Sequence, residues 1–364
     1  MGKLSHGGDI YRNKNVIDYS SNCNPVGTPE GVIRAICQSA ENIGHYPDPI
    51  CEKLKDAIAN KLNGANVASG LTSDNASCEM DADHIFIGNG AAEVIYTLAL
   101  ATNPQRALIP APTFSEYEDA LSIHECEITR YEMGADSGYK IQDDILDRID
   151  ESIDVVFICS PNNPTGVLTD RKILIRILEK CQQEGALLVL DECFLDFADC
   201  PSEQTLIDHI SRYDNLVILK AFTKLYAMAG VRLGYCISSN TGLIDRMNNF
   251  VQPWNVSTLA QNAGIAALEE TEYVKSSLEV IAREKKFLVD GLNSLCIKPL
   301  ESQGNYLFFR SRYDLYDRLL ERGFMIRDCS NYHGLSQGDY RIAVRLHEDN
   351  VKLLDTMREI LCPK

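Results

Sequence analysis

The chain is short of positive charge. Its 364 residues hold 35 Lys and Arg against 52 Asp and Glu, a formal net charge of −17. Binding a polyphosphate backbone or an anionic membrane surface takes an extended basic face, so nucleic acid and membranes are not expected as partners. No apolar run approaches the ~18 residues of a membrane-spanning helix. The opening, Met1 to Tyr11, is polar and glycine-containing rather than a secretory leader, which points to the cytoplasm. The 13 cysteines include no CxxC and no Cys/His grouping at zinc spacing. Neither a metal centre nor a disulfide frame is therefore expected, and the thiols read as reduced, mostly small core residues. There is no fixed-period repeat. What remains, 45% hydrophobic and 24% charged, suits a globular protein with a large core and, as a prior, about two domains.

From about residue 84 to 240, short apolar runs alternate with helical periodicity. His84–Ile87, Asp154–Cys159, Ala186–Leu190, Leu216–Leu219 and Leu233–Ile237 read as buried strands. Glu93–Leu100 and Thr169–Glu184 read as helices, the latter with Ile173, Ile177 and Leu178 on one face. That order implies βαβ units and a mainly parallel sheet, an α/β fold. The ends differ. Thr28-Pro29-Glu30 offers a capping threonine and a first-turn proline for a helix that carries Val32, Ile33, Ile36 and Ala40 inward. After Trp254 the pattern predicts one long helix to about Leu295. Strand Asn305–Arg310, helix Tyr313–Arg322, strands Met325–Arg327 and Tyr340–Leu346, and helix Asn350–Leu361 follow. Residues 66–82 are rich in Ser, Asp and Asn and predict a surface loop. The expected organisation is a large domain, 45–250, and a small α+β domain built from both chain ends, 1–44 and 251–364.

Four motifs stand at predicted strand ends, where open α/β sheets place ligands. Gly88-Asn89-Gly90-Ala91-Ala92-Glu93 joins a strand to a helix. Glycines allow a tight turn, and a helix N-terminus offers free N–H groups to a phosphate. Alone the string could be a mere turn. It lacks the third glycine of a dinucleotide fingerprint and has no acidic residue ~20 positions on, which argues against a nicotinamide dehydrogenase. Ser160-Pro161-Asn162-Asn163-Pro164-Thr165-Gly166 follows a buried strand, and its prolines and glycine hold Asn163 in place. Asp191-Glu192-Cys193-Phe194 puts a carboxylate where a cationic partner is wanted, such as a protonated ring nitrogen. Ala221-Phe222-Thr223-Lys224 sets a lysine among apolar neighbours, where desolvation favours a nucleophilic amine suited to Schiff-base chemistry. Gly230 and Arg232 come shortly after.

Together these motifs resemble the fold-type I pyridoxal-phosphate enzymes, in the branch holding histidinol-phosphate aminotransferases and threonine-phosphate decarboxylases, over nearly the whole chain. The resemblance implies a seven-stranded, mainly parallel sheet and pyridoxal 5'-phosphate as cofactor. It implies Lys224 as the covalently bound lysine, Asp191 as partner of the ring nitrogen, Asn163 on the ring hydroxyl, and Phe114 stacked on the ring. The cofactor phosphate would rest on the backbone of Ala91 and Ala92, with Thr223 and Arg232 adding donors. Tyr46, in His45-Tyr46-Pro47-Asp48, resembles a tyrosine that reaches this phosphate from the other subunit, implying a homodimer with its active site at the interface. Two positions depart from the pattern. Ala221 stands where a hydroxyl residue is usual, and Phe194 where many relatives have Tyr.

The fold does not fix the reaction. Which bond at the substrate's α-carbon breaks depends on where arginines anchor the substrate. His6-Gly7-Gly8, Asp18 to Pro25, Pro253-Trp254, Ile326 to Tyr332 and Tyr340 to Arg345 resemble the decarboxylase branch. That implies loss of carbon dioxide from L-threonine O-3-phosphate, giving (R)-1-amino-2-propanol O-2-phosphate for cobamide synthesis. Transamination of histidinol phosphate or an aromatic amino acid is the alternative. Arg341 matches the carboxylate-binding arginine of the fold type, and Arg327 matches a substrate-anion residue. Asn163 also borders the substrate. His6 is either a substrate-phosphate ligand or simply exposed. On a continuous strand Arg341 and Arg345 share a face, roughly 13 Å apart.

Overall fold

The structure is a computed structural model and describes residues 7–68 and 80–361. A short strand, β1 (Ile17–Asp18), precedes the central sheet. That sheet comprises β2 (Ile85–Gly88), β3 (Arg106–Ala111), β4 (Glu127–Glu132), β5 (Val155–Cys159), β6 (Leu187–Asp191), β7 (Leu216–Ala221) and β8 (Gly234–Ile237). Its order is β2-β8-β7-β6-β5-β3-β4. Strands β4, β3, β5, β6 and β7 pair in parallel, and β8 runs against both its neighbours.

Side chains alternate across the sheet with the two-residue period of a strand. Val155, Phe157, Cys159, Val189, Val217 and Leu219 pack into one apolar cluster; Val156, Ile158, Leu188, Leu190, Leu216 and Ile218 pack into another on the opposite face. Both faces are covered, so these strands read as continuous apolar runs. Strands β3 and β4 were not expected. Pro110 interrupts the first, and the second is an edge strand of sequence EITRYE whose apolar content is low.

The remaining strands come from the chain's end: β9 (Tyr306–Arg310), β10 (Phe324–Met325), β11 (Arg327–Asp328) and β12 (Asp339–Ala343). They form two small sheets, β1-β10 and β11-β12-β9. The expected strand Met325–Arg327 is thus divided between two sheets. The expected helix Tyr313–Arg322 is confined to Tyr316–Leu320.

Four further expectations are corrected. The helix after Trp254 is two helices, Thr258–Glu269 and Thr271–Ser294, broken at Glu270. The Glu270 carboxylate lies against Gly31, where a Cβ would come within 2.0 Å of Oε1. Helix Glu30–Ser39 has Pro29 at its cap position and no side-chain cap, because the Thr28 hydroxyl donates across the fold to Ala227 O at 2.8 Å. Of its expected inward residues, Ile33 and Ala40 are exposed. The expected loop at 66–82 begins later, since helix Glu52–Ala68 runs through its first three positions; residues 69–79 lie outside the described residues. Strand β12 stops at Ala343, where Asn350 intervenes: its Nδ2 donates to Arg345 O at 2.7 Å. Arg345 therefore does not share a strand face with Arg341, and its Nε lies 3.9 Å from Asp349 instead.

Leu190 is fully buried in mid-sheet between Ile158 and Ile218. Leu190→Ala is expected to cost about 2–5 kcal/mol in chemical denaturation. Leu346→Ala, at an exposed position, should stay within about 0.5 kcal/mol of the parent.

Candidate active site

The carboxyl ends of β2, β5, β6 and β7 and the start of the reversed β8 meet at one edge of the sheet. Register pairs Cys159 with Asp191, Ala221 with Gly234, and Gly234 with Gly88. A cavity of about 240 Å³ opens there, walled by Lys224, Arg232, Arg327, Arg341 and Asp191 among others. Four cationic side chains face one carboxylate, so the cavity is built for anions although the chain as a whole is acidic.

One end of the cavity is a cradle. Helix Ala91–Thr102 starts after Gly90, whose φ of 86° is in the left-handed region. Its first N–H groups, on Ala91 and Ala92, have no partner one turn earlier in the helix. Arg232 lies over this turn, so close that a Cβ on Gly90 would come within 2.4 Å of Nη2. A Cβ on Gly234 would come within 2.5 Å of Ala91 N. Two missing side chains therefore let a guanidinium and a helix N-terminus converge, with Thr223 beside them on the wall. This donor set fits a phosphate.

Behind the cradle, Asp191 is buried. Its Oδ2 accepts from Tyr117 Oη at 2.6 Å and its Oδ1 from the Cys193 N–H at 2.9 Å. Lys224 Nζ stands 5.6 Å over the Phe194 ring, with no ion pair to it among the described residues. Phe114 forms part of the wall and meets Tyr117 edge-on at 5.6 Å.

The opposite end comes from the small sheets. Arg341, on β12, donates through Nη1 to Asn163 Oδ1 and through Nη2 to Ser20 O at 2.6 Å. Its Nε is buried without a partner among the described residues. Arg327, on β11 and paired in register with Arg341, donates to Asn331 Oδ1 at 2.8 Å and lies 5.2 Å over the Tyr332 ring. The loop carrying Asn163 is gripped from the same side. Tyr306 Oη donates to Asn162 O at 2.8 Å, and Gln303 N to Gly166 O at 2.8 Å. Gly7 closes the rim, packed so that a Cβ would meet Ser20 O at 2.4 Å.

The cavity thus gathers Ala91, Ala92, Phe114, Asn163, Asp191, Thr223, Lys224, Arg232, Arg327 and Arg341, all singled out from the sequence. Tyr46 is not among them; it is 78% exposed and stacks on Trp254 at 4.4 Å. His6 lies outside the described residues. Tyr117 was missed. Its spacing from Phe114, one helical turn on, was the available signal, but a buried aromatic reads first as core. Asp191, Asn163, Lys224, the Ala91–Ala92 turn and Arg232 form one donor and acceptor set that fits pyridoxal phosphate: a carboxylate for its ring nitrogen, an amine for its aldehyde and a cradle for its phosphate.

Gly90→Ala should drive the Arg232 guanidinium out of the cradle and put alanine at a strained φ. Retention of pyridoxal phosphate on desalting is expected to fall, by roughly tenfold or more in affinity, the scale of a lost hydrogen bond to a charged group.

Comparison with known proteins agrees with this geometry. The family model "Aminotransferase class I and II" matches residues 14–355. A threonine-phosphate decarboxylase of Salmonella typhimurium is 34% identical over 98% of this chain and 96% of its own. Among solved structures, the L-threonine-O-3-phosphate decarboxylase of Porphyromonas gingivalis has a TM-score of 0.78 at 25% identity, covering 94% of this chain and 98% of its own. The histidinol-phosphate aminotransferase of Clostridium acetobutylicum has a TM-score of 0.80 at 29% identity, with 94% and 98% covered. From its sheet edge, its anion cradle and these likenesses, the chain belongs to the aminotransferase class I and II family of pyridoxal-phosphate enzymes.

Proposed function

We propose that this protein is a carboxy-lyase that removes carbon dioxide from L-threonine O-3-phosphate, yielding (R)-1-amino-2-propanol O-2-phosphate for cobamide synthesis. The observation that carries the reading is the second anion-binding end of the cavity, where Arg327 and Arg341 face a space already served by Arg232 and a helix N-terminus. The cofactor phosphate takes the cradle, which leaves two arginines for a substrate with both a carboxylate and a phosphate. The 34% identity to the Salmonella decarboxylase supports the same choice.

Bound pyridoxal phosphate supplies an electron sink for a bond broken at the substrate's α-carbon. Lys224 would hold its aldehyde carbon, Asp191 its ring nitrogen, Asn163 its ring hydroxyl and Phe114 its ring face. Ala91, Ala92, Thr223 and Arg232 would hold its phosphate. The chain's part in the reaction is orientation. Arg341 would grip the substrate carboxylate and Arg327 the substrate phosphate. Two anchors on neighbouring strands would restrict rotation about the α-carbon, the freedom that decides which of its bonds breaks. With carbon dioxide gone, Lys224 Nζ is the group that can return a proton to that carbon. His6, next in sequence to the rim residue Gly7, would add a donor for the phosphate.

The functional unit would be a homodimer. Tyr46 and Trp254 form an exposed aromatic stack, and Ile43, Ile50 and Phe250 are also exposed. Such clustered apolar exposure suits a subunit interface, from which Tyr46 would reach the other protomer's cofactor phosphate. Residues 45–250 would act as the large domain, and 1–44 with 251–364 as the small one; the pairing of β1 with β10 supports joining the two ends. A cytoplasmic location suits this reading. No described helix is long and apolar enough to cross a membrane.

The purified enzyme should release carbon dioxide from L-threonine O-3-phosphate with no acceptor present. Oxo-acid formation that depends on an added 2-oxo acid would instead favour an aminotransferase, the reading to which the Clostridium structure lends support. Serine phosphate should be a poorer substrate by about 1–3 kcal/mol, the worth of one methyl group in an apolar pocket. Arg327→Gln is expected to lower kcat/KM for threonine phosphate roughly 10- to 100-fold while hardly changing that for unphosphorylated threonine. Equal losses on both substrates would remove Arg327 from the phosphate.

A further inference from the structure

Both carboxylate oxygens of Asp191 take hydrogen bonds from the chain itself. Oδ2 receives the Tyr117 phenol at 2.6 Å, while Oδ1 takes the Cys193 N–H at 2.9 Å. Tyr117 is fully buried and is not part of the cavity wall, so it would act on a ligand there only through its neighbours. Its ring is stacked on Phe157 with centroids 5.0 Å apart and is met edge-on by Phe114 at 5.6 Å. The packed ring holds the phenol between the Asp191 carboxylate and the Cys159 thiol, with its short hydrogen bond going to the carboxylate. Burial, and then the Asp191 charge, push its ionisation well above the ordinary tyrosine value, so it stays a donor. Burial and the same carboxylate also raise the neighbouring Cys193 thiol, and burial leads in raising that of Cys159. The phenol and the two thiols around the Asp191 carboxylate thus keep their protons.

We propose that Tyr117 is a positioning residue for the cofactor's ring nitrogen, acting through Asp191. The inference rests on the reading of Asp191 as the ring-nitrogen partner. A carboxylate and a pyridine nitrogen that face each other share one proton, and the more basic of the two keeps it. Donation from Tyr117 into Oδ2 stabilises the negative carboxylate and makes it the weaker base. The proton then rests on the nitrogen, and the ring keeps the positive charge on which its electron-withdrawing power depends. The same bond, with that from the Cys193 N–H, restricts the carboxylate's rotation.

The test compares two cofactors on the holoenzyme: pyridoxal phosphate and its 1-deaza analogue, in which a C–H replaces the ring nitrogen. Dissociation constants are measured for the parent, Asp191→Asn and Tyr117→Phe. The expected result is that each variant loosens pyridoxal phosphate roughly tenfold or more and leaves the analogue within about twofold, because only the first has the nitrogen at stake. If Asp191→Asn discriminates and Tyr117→Phe does not, or loosens both cofactors equally, Tyr117 is a packing residue and the inference falls. If Asp191→Asn itself fails to discriminate, the ring-nitrogen reading of Asp191 falls with it. Should Tyr117→Phe not fold, 3-fluorotyrosine at position 117 keeps both ring and donor. The more acidic phenol should then move the 15N resonance of ring-labelled cofactor from its position in the unmodified holoenzyme, and an unmoved resonance overturns the proposal.

Discussion

Everything at the site hangs on one alignment, the register that brings the ends of five strands together at one edge of the sheet. Cys159, Asp191 and Leu219 stand in register, as do Ala221, Gly234 and Gly88. A slip of one residue in any of these strands would turn Asp191 or its neighbours to the opposite face. The alternating burial of Val155 to Cys159 and Leu187 to Asp191 against two separate apolar clusters is what prevents that slip. The hydrophobic core thereby decides where the carboxylate points. Reversing β8 serves the same edge, because its first residues, not its last, bring Arg232 to the cradle.

Electrostatics then divides the molecule into an acidic exterior and a cationic interior. The formal charge of −17 belongs to the whole chain, while the cavity holds four cations against Asp191. Cations gathered in a partly desolvated space repel one another and call for anions. A cofactor phosphate and a doubly charged substrate supply them, so ligand binding completes the site electrostatically as well as sterically. The acidic exterior disfavours long polyanions without weakening that local field, which is short-ranged at physiological salt.

The sequence was most readable where one strand's apolar run was followed at once by polar residues. Asp191, Asn163 and Lys224 all follow a buried strand, and the Gly88–Glu93 string sits at such an end too. Legibility failed where the controlling contact is remote in sequence. Nothing local marks Glu270 as a helix break; its carboxylate lies against Gly31, from the other end of the chain. Arg345 looked like a strand residue because the Asn350 side chain that ends β12 there is itself part of the following helix. Tyr117 was hidden for a different reason: an aromatic in an apolar cluster carries no sign that its hydroxyl has found a carboxylate. Tyr46 does not line its own chain's cavity, and a single chain holds no contact that would assign it.

The loop from Asn162 to Gly166 has a mechanical side. It belongs in sequence to the central sheet, yet Tyr306, Gln303 and Arg341 all bond to it from the chain's later half. The loop is therefore a seam between distant parts of the chain: Asn163 cannot shift without disturbing Arg341, 178 positions later, which holds its side-chain oxygen.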